Sequence, residues 1–170
     1  VRGKYCKIFC PSPISGTCNF LPFWYTIINK QNFLIRGRGC AKMPTEEIVC
    51  SFMGHRVVPQ EEAIARQVRD WIALLAKTER PLRFLNGGMG NFDRICADEV
   101  AKYRQDHPQF SIQQWLVLPF RNYKPSPNLF LKPYDKVILP ASVESLQAHY
   151  AIQARNRWMM EQADYVLAYW

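Results

Sequence analysis

Between residues 48 and 170, short apolar segments alternate with amphipathic ones, and this alternation constrains the fold more than any other feature of the sequence. Apolar runs predict strands and helical spacing predicts helices, in the order β-α-β-α-β-loop-β-α-β. The predicted strands are 48–53, 82–85, 112–118, 136–139 and 165–170. The first predicted helix begins near Pro59, the second covers about 91–106 and the third about 142–163. Such alternation calls for a mostly parallel five-stranded sheet with helices on both faces, which is a three-layer α/β domain.

The position of the last predicted strand indicates how the sheet ends. The sequence ends at Trp170, inside or directly after the strand 165–170. A doubly wound domain that stopped there would be cut short. We therefore expect the sheet to be truncated at its C-terminal edge, without an outer strand or a covering helix.

Residue types predict both the start and the buried face of the first helix. Pro59 fits the first turn of a helix, and Glu61 and Glu62 place negative charge near the positive end of the helix dipole. Apolar side chains then recur at helical spacing and predict one buried face, which comprises Ile64, Val68, Trp71, Ile72 and Leu75.

Residues 1–42 differ from the rest of the chain in charge. They contain seven Lys or Arg and no Asp or Glu, whereas residues 43–170 contain fifteen basic and fourteen acidic residues. The net charge of +8 therefore belongs almost wholly to this tail. The body offers no basic footprint for a phosphate backbone, which argues against nucleic acid as its partner.

The tail also contains Cys6, Cys10, Cys18 and Cys40, whose spacing lacks the C-x2-C pair of zinc knuckles and ribbons. A metal site there is the less favoured interpretation. The tail shows no clear strand-helix pattern, and the residues that follow Lys42 resemble the start of a protein at Met43. Residues 1–42 are then either an extension that is not native to the protein, a disordered segment, or a basic, aromatic arm that binds a partner. In both cases we expect the domain to span 43–170 and to fold without the tail.

No segment resembles a membrane span or a signal peptide. The best candidate, 20–28, is far shorter than the roughly 20 residues of a span and contains Pro22. The N-terminus lacks the apolar run and the small-residue cleavage site of a secretory signal. We therefore expect a soluble, cytoplasmic protein with no membrane partner.

Three segments follow predicted strands, at the edge of a parallel sheet where ligands bind. Gly54-His55-Arg56 follows the first strand, Gly87-Gly88-Met89-Gly90 the second and Pro119-Phe120-Arg121 the third. The glycine segment also precedes a helix, whose free N–H groups and positive dipole end favour an anion. It is neither G-x-G-x-x-G nor a Walker A loop, so phosphate binding and a simple turn capped by Asn91 are equally supported.

Three candidate ligand contacts lie in or beside these segments. Asp93 lies in the first turn of a predicted helix, where a negative charge interacts favourably with the helix dipole. An acid there would repel a phosphate. A functional role for Asp93 therefore needs another target, such as a ribose hydroxyl. His55 is either an acid or base at a ligand or a histidine that hydrogen-bonds within a loop. Arg56 is either an anion contact or one half of a surface ion pair.

Arg155 is the least expected residue of the last predicted helix. It lies four residues before Met159 and therefore shares the apolar face of that helix. A guanidinium on such a face needs an anion or must reach past the core to solvent. A ligand phosphate is one candidate, and Asp93 or Asp164 is the structural alternative. Arg157 points to another side of the helix and is expected in solvent.

Three of these segments together resemble the SLOG superfamily, a variant Rossmann fold that groups the DprA/SMF and LOG proteins. Residues 50–56 resemble the opening strand and Gly-His-Arg turn of its bacterial YpsA-like branch, whose function is unknown. Residues 87–93 resemble the Gly-Gly-x-x-Gly-x-Asp segment of that branch, with the third glycine and the acid offset by one residue. Residues 155–159, followed by 163–166, resemble its Arg-Asn-x-Trp-Met helix and final strand.

The resemblance covers residues 47–170 and implies a Rossmann-like domain that binds or senses a nucleotide or nucleotide-derived ligand. The implied ligand contacts are Gly54, His55, Arg56, Gly87, Gly88, Gly90, Asp93, Arg155 and Asn156. No cofactor is identified beyond such a ligand, and the catalytic residues are unknown. SLOG relatives often form dimers, so the resemblance also implies a homodimer as one assembly.

Two other functions stay open. LOG enzymes are nucleoside monophosphate phosphoribohydrolases, which cleave an N-glycosidic bond. In them the strand that corresponds to 165–170 is followed by Pro-Gly-Gly-x-Gly-Thr and a catalytic glutamate, and this sequence ends where that segment would begin. DprA proteins bind single-stranded DNA, which requires a basic, aromatic groove that the near-neutral body does not predict. Whether the chain is an enzyme is therefore left open.

Residues 119–135 form a predicted loop with four prolines. A loop of this length in a compact domain is typically either a functional lid or disordered. Because the loop leaves the end of the third strand, a lid would place Arg121, Tyr123 and Lys124 over the ligand.

Overall fold

The computed structural model describes residues 24–29, 33–38, 46–123 and 134–170. Within these residues the strands are β1 Trp24–Asn29, β2 Phe33–Arg38, β3 Ile48–Gly54, β4 Leu82–Asn86, β5 Ile112–Val117, β6 Lys136–Ile138 and β7 Tyr165–Tyr169. The helices are α1 Glu61–Ala76, α2 Asn91–Asp106, α3 Ala141–Glu144 and α4 Ala148–Gln162. None of these helices is both long enough and apolar enough to cross a membrane.

All seven strands form one sheet in the order β1-β2-β7-β3-β4-β5-β6. The five strands from β7 to β6 in this order are parallel, and β2 pairs antiparallel with both β1 and β7. The prediction of an α/β domain with a mostly parallel five-stranded sheet is confirmed.

The two faces of the sheet support two separate apolar clusters, because successive residues of a strand point to opposite faces. On one face, Cys50 and Phe52 of β3 pack in a cluster with side chains of α1 and α2. On the other face, Val49 of β3 packs in a cluster with Met159 of α4. Helices therefore cover both faces, as a Rossmann-like three-layer fold requires.

Helix α1 buries the apolar face that the sequence predicts, with Ile64, Val68, Trp71, Ile72 and Leu75 all in the core. Its start differs slightly from the prediction. Gln60 is the N-cap, with a left-handed backbone at φ 57°, and Pro59 lies one residue before it instead of in the first turn.

The long helix predicted from residue 142 to 163 is divided in two. Helix α3 ends at Glu144, and α4 begins after Gln147, whose backbone is extended with ψ 145°. The extended residue interrupts the hydrogen-bond ladder, and the Gln147 carbonyl accepts the N–H groups that open α4. Val143 and Ala151 are both buried and lie eight residues apart. In an unbroken helix, residues with this spacing would also lie near the same face. The apolar pattern therefore does not reveal the break.

Strands β1 and β2 lie in the tail, for which the sequence predicted no regular element. They pair with each other, and β2 pairs with β7 from Phe33 opposite Tyr169 to Gly37 opposite Tyr165. The sheet position beyond β7, where truncation was expected, is therefore occupied by this antiparallel pair. The four tail cysteines and the suggested start at Met43 lie outside the described residues. The domain boundary at residue 43 stays a prediction.

Candidate functional site

Two adjoining cavities lie where β3 and β4 end. The first has a volume of about 160 Å³ and the second of about 250 Å³. Arg56 and Met89 line both cavities, so the two volumes meet at these residues. This is the edge of a parallel sheet at which doubly wound domains bind ligands.

The structure brings eight of the nine predicted ligand contacts to these cavities. Gly54, Arg56, Gly87, Asp93, Arg155 and Asn156 line the first cavity, and Arg56, Gly88 and Gly90 line the second. The three segments that the sequence singled out therefore converge at one place, although their role as ligand contacts stays a prediction.

His55 is the predicted contact that lines neither cavity. Its backbone N–H donates to the carbonyl of Tyr169 at 3.2 Å, which extends the pairing of β3 with β7 by one bond. Its exposed imidazole lies edge-on to the ring of Tyr169, with 6.4 Å between the ring centroids. These contacts favour the interpretation of His55 as a loop histidine.

Arg155 is buried and hydrogen-bonds to backbone at the ends of two neighbouring strands. Its Nη1 donates to the carbonyl of Gly87, directly after β4, at 2.6 Å and to the carbonyl of Val117, the last residue of β5, at 2.8 Å. Its Nε donates to Oδ1 of Asn156 at 2.8 Å. These bonds fix the guanidinium against the wall of the first cavity, and Nη2 has no hydrogen-bond partner among the described residues.

Within the part of the chain that the structure describes, no carboxylate forms an ion pair that balances the charge of Arg155. Neither structural alternative for its partner is therefore formed among these residues. Asp164 instead accepts the N–H of Val49 at 2.9 Å. Burial lowers the pKa of Arg155, and the negative charge of Asp93 opposes this shift. A guanidinium nevertheless stays protonated at neutral pH, so the cavity wall has a permanent positive charge.

Three glycines of the segment 87–90 are favoured by geometry. A Cβ atom on Gly90 would lie 2.6 Å from the backbone Cα of Arg56, which leaves no room for a side chain. A Cβ atom on Gly87 would lie 2.6 Å from Nη1 of Arg155, so any other residue here would displace the guanidinium. Gly88 has a φ of 67°, a left-handed conformation that residues with a side chain adopt at a cost. The segment is therefore shaped both for its turn and for Arg155.

Asn86 organises the turn and was not predicted as a site residue. Its Nδ2 donates to the carbonyl of Asp93 at 2.7 Å, and its Oδ1 accepts the N–H of Gly88 at 2.8 Å. An asparagine directly before two glycines is a known turn-forming signal, and it would have pointed to this residue. Asn91, the expected cap, instead donates to Oε1 of Glu61 at 2.9 Å, and Gly90 is the N-cap of α2.

Asp93 is a buried carboxylate on the wall of the first cavity. Its Oδ2 accepts the N–H of Met89 at 2.7 Å. Burial raises the pKa of Asp93 to about 6, and the bond from Met89 and the charge of Arg155 partly oppose this. At neutral pH the side chain is thus mainly ionised, yet close to its titration range.

Arg56 and Arg94 supply further positive charge at the second cavity. Arg94 hydrogen-bonds to Glu61 and to Asp98, so its charge is compensated. The carbonyl of Arg56 accepts the N–H of Asn91 at 2.9 Å, which ties the loop after β3 to the start of α2. Among the described residues the guanidinium of Arg56 forms no ion pair, so the surface ion pair considered for it is not present there.

The loop after β5 reaches the site through Tyr123. The hydroxyl of Tyr123 donates to the carbonyl of Gly88 at 3.2 Å, and its side chain lines the second cavity. Arg121, which was expected to face the ligand, is 81% exposed and pairs with Glu144. Lys124 and most of the predicted lid lie outside the described residues, so the lid stays a prediction.

In the part of the chain that the structure describes, no group of three His, Cys, Asp or Glu side chains could hold a metal ion. No model of a protein family matches the chain, and no curated protein matches it. The resemblance to the SLOG superfamily therefore stays a prediction from the three sequence motifs.

Proposed function

We propose that this chain is a binding or sensing domain for a phosphate-bearing, nucleotide-derived small molecule, which occupies the two adjoining cavities. The observation that carries this proposal is the guanidinium of Arg155. It is 2% exposed and lines a cavity, and its direct partners are the carbonyls of Gly87 and Val117 and the side chain of Asn156. A phosphate in that cavity would supply the counter-charge that the described residues do not place in contact with it.

The start of α2 supports the same proposal. Gly90 and Asn91 line the second cavity, so the positive end of a sixteen-residue helix lies at its wall. The N-cap of α2 is a glycine, which has no side chain to cap the first turn. The guanidinium of Arg56 forms no ion pair with the described residues, and together with this end of the helix it favours an anion.

The size of the cavities supports a small ligand. Small-molecule sites typically have volumes of roughly 300–1,000 Å³, and the two cavities together fall in the lower part of that range. A single nucleotide is of this scale. Residues 43–170 are nearly neutral, so their charge does not favour DprA-like binding of single-stranded DNA.

Binding is proposed in preference to LOG-like hydrolysis because few carboxylates line the cavities. Among the described residues, Asp93 is the one carboxylate that lines either cavity. None of the residues that line the two cavities is assigned a catalytic role.

The test is calorimetric titration of the full chain with nucleoside 5′-monophosphates and with the matching nucleosides. We expect the monophosphates to bind at least tenfold more tightly, because a charge-assisted bond to Arg155 is worth about 1.5–3 kcal/mol. Native mass spectrometry of protein purified from its own host would reveal a co-purified ligand. The same spectra would test the homodimer that the resemblance implies.

Two variants of α4 make this test specific. Arg155→Met removes the buried charge and keeps an unbranched side chain that can pack on the apolar face, whereas Arg157→Met removes an exposed charge from the same helix. We expect the first variant to lose about 10- to 100-fold in monophosphate affinity and the second to keep it. Equal affinity of folded Arg155→Met and of the unmodified chain would overturn the proposal.

A further inference from the structure

The first cavity is small, and side chains of opposite charge share its wall. Arg155 and Asp93 both line it, and no ion pair joins them among the described residues. The volume is about 160 Å³, roughly five times the share of one water molecule in the liquid. An anion that binds Arg155 in so small a space also lies close to the Asp93 carboxylate.

Arg155 is one of the two groups that keep Asp93 ionised. Asp93 is 8% exposed, and burial raises its pKa to about 6. The N–H of Met89, which donates to Oδ2, and the positive charge of Arg155 oppose this rise. An anion on Arg155 neutralises that positive charge and places a negative charge beside the carboxylate. Both effects raise the pKa of Asp93 further.

The other ionisable groups near Asp93 do not compensate for this loss. Burial raises the pKa of the Tyr123 and Tyr134 phenols and of the Cys96 thiol, so all three side chains are neutral at neutral pH. Arg56 is the other cation on the wall of the first cavity. Its side chain is exposed, so solvent screens its charge more than that of the buried Arg155.

We infer that the first cavity binds an anion together with one proton, which Asp93 and the anion share. The proton comes from solvent, and no covalent bond of the ligand breaks. Oδ1 of Asp93 has no hydrogen-bond partner among the described residues, so this oxygen is free to hold the proton or to accept it from the anion. The hydrogen bond replaces the repulsion between two negative charges.

This inference rests on the proposed function and adds a regulation of the same site by pH. Above the pKa of Asp93 in the free chain, every bound anion requires a proton from solvent. The affinity for the anion therefore falls as the pH rises, by about tenfold for each pH unit.

The experiment counts protons by calorimetry. Each nucleoside 5′-monophosphate that binds is titrated into the full chain at a pH of about 7.5, in two buffers with different enthalpies of ionisation. We expect uptake of about 0.5–1 proton per ligand, because the free carboxyl and the free phosphate, whose pKa is about 6, are both mainly ionised at this pH. The affinity should fall about 10- to 30-fold between pH values of about 6.5 and 8.

Two variants of α2 make the measurement specific. Asp93→Asn removes the titrating group, and the asparagine side chain can still accept the N–H of Met89. We expect this variant to take up less than about 0.2 proton and to bind monophosphates about tenfold or more tightly than the unmodified chain at a pH of about 8. Asp106→Asn changes an exposed acid at the end of the same helix and should match the unmodified chain in both measurements.

The outcomes separate the inference from the proposed function. If monophosphates bind without proton uptake and with an affinity that does not change over this pH range, the inference is overturned and the proposed function stands. Proton uptake that persists in folded Asp93→Asn also overturns the inference, because another group then holds the proton. If no monophosphate binds to the folded chain, both claims fail. The proton count on the unmodified chain needs no variant, so it tests the inference even if Asp93→Asn does not fold.

Discussion

The guanidinium of Arg155 lies directly against the backbone of Gly87, with Nη1 2.6 Å from the Gly87 carbonyl oxygen. The two residues are 68 positions apart in the chain. One belongs to the glycine segment after β4 and the other to the middle of α4. The bond thus joins two of the sequence motifs into one wall of the first cavity, and it links a helix on one face of the sheet to the carboxyl end of a central strand.

We expect Gly87→Ala to displace this guanidinium. The added Cβ would lie 2.6–2.9 Å from the guanidinium atoms, and Arg155 is too buried to move without losing its bonds to Gly87 and Val117. The free energy of unfolding should fall by about 1–3 kcal/mol, the cost of overpacking and of unmade buried hydrogen bonds. Urea denaturation measures this loss.

A double-mutant cycle measures whether Gly87→Ala lowers the free energy of unfolding by breaking the contacts of Arg155. Combined with Arg155→Met, Gly87→Ala should be clearly non-additive, because both changes break the same contacts. Gly88→Ala is the control, since it strains a left-handed backbone and should cost roughly 1–2 kcal/mol without touching Arg155. Additive losses for Gly87→Ala and Arg155→Met would contradict the prediction.

The fold was predictable where local periodicity is strong. The buried face of α1 and the bounds of α2 agree with the sequence pattern, since an apolar stripe at helical spacing specifies both. The break at Gln147 was not predictable, because the spacing of apolar residues is the same across it. The pairing of β2 with β7 was also missed, since it joins segments about 130 residues apart in the chain that no local pattern connects.

The sequence pointed to a residue of the candidate site where a charge conflicts with apolar surroundings. Arg155 was found because a charge on an apolar helix face requires a partner. Its actual partners are backbone carbonyls, which have no signature in the sequence. His55 was suggested by its place in a motif, and its role as a ligand contact stays a prediction; in the structure its backbone N–H extends the pairing of β3 with β7.

Asn86→Ala should weaken both the fold and the site. The asparagine is fully buried and holds the Gly88 N–H and the Asp93 carbonyl, so alanine leaves both groups without this partner. We expect a loss of about 1–3 kcal/mol in the free energy of unfolding, together with weaker monophosphate binding. Asn91→Ala is the matched control, because its amide bonds to the partly exposed Glu61 and should cost less. Equal losses in the two variants would contradict the prediction.

Removal of the tail should leave a folded but less stable domain. The side chains that the structure describes in the two apolar clusters all lie from Ile48 onward, so a chain that starts at Met43 keeps them. It loses the ladder between β2 and β7, which leaves an open sheet edge that promotes association. We expect a lower urea midpoint than for the full chain and more association in size-exclusion chromatography. A chain that starts at Gln31 keeps β2 and should recover most of the difference. Identical midpoints for all three chains would mean that β2 adds no stability.

Asp93 should make the ligand-free protein less stable as the pH rises from about 4 to 7. Burial raises the pKa of Asp93 from 3.8 to about 6 in the folded chain. Between these values the folded state keeps a proton that the unfolded state has lost, so the free energy of unfolding falls as the pH increases. The stabilisation is fully present below pH 3.8 and is lost as the pH passes about 6. Two pH units correspond to a change of about 3 kcal/mol.

Asp93→Asn tests this pH dependence because asparagine can still accept the N–H of Met89 but does not titrate. Urea denaturation of both proteins at several values between pH 4 and pH 7.5 should show the variant gaining on the unmodified chain as the pH rises, by up to about 3 kcal/mol. Asp106→Asn, which changes an exposed acid at the end of α2, should follow the unmodified chain throughout. Curves for Asp93→Asn and the unmodified chain that stay parallel over this range would show that burial does not raise the pKa of the Asp93 carboxyl in the folded chain.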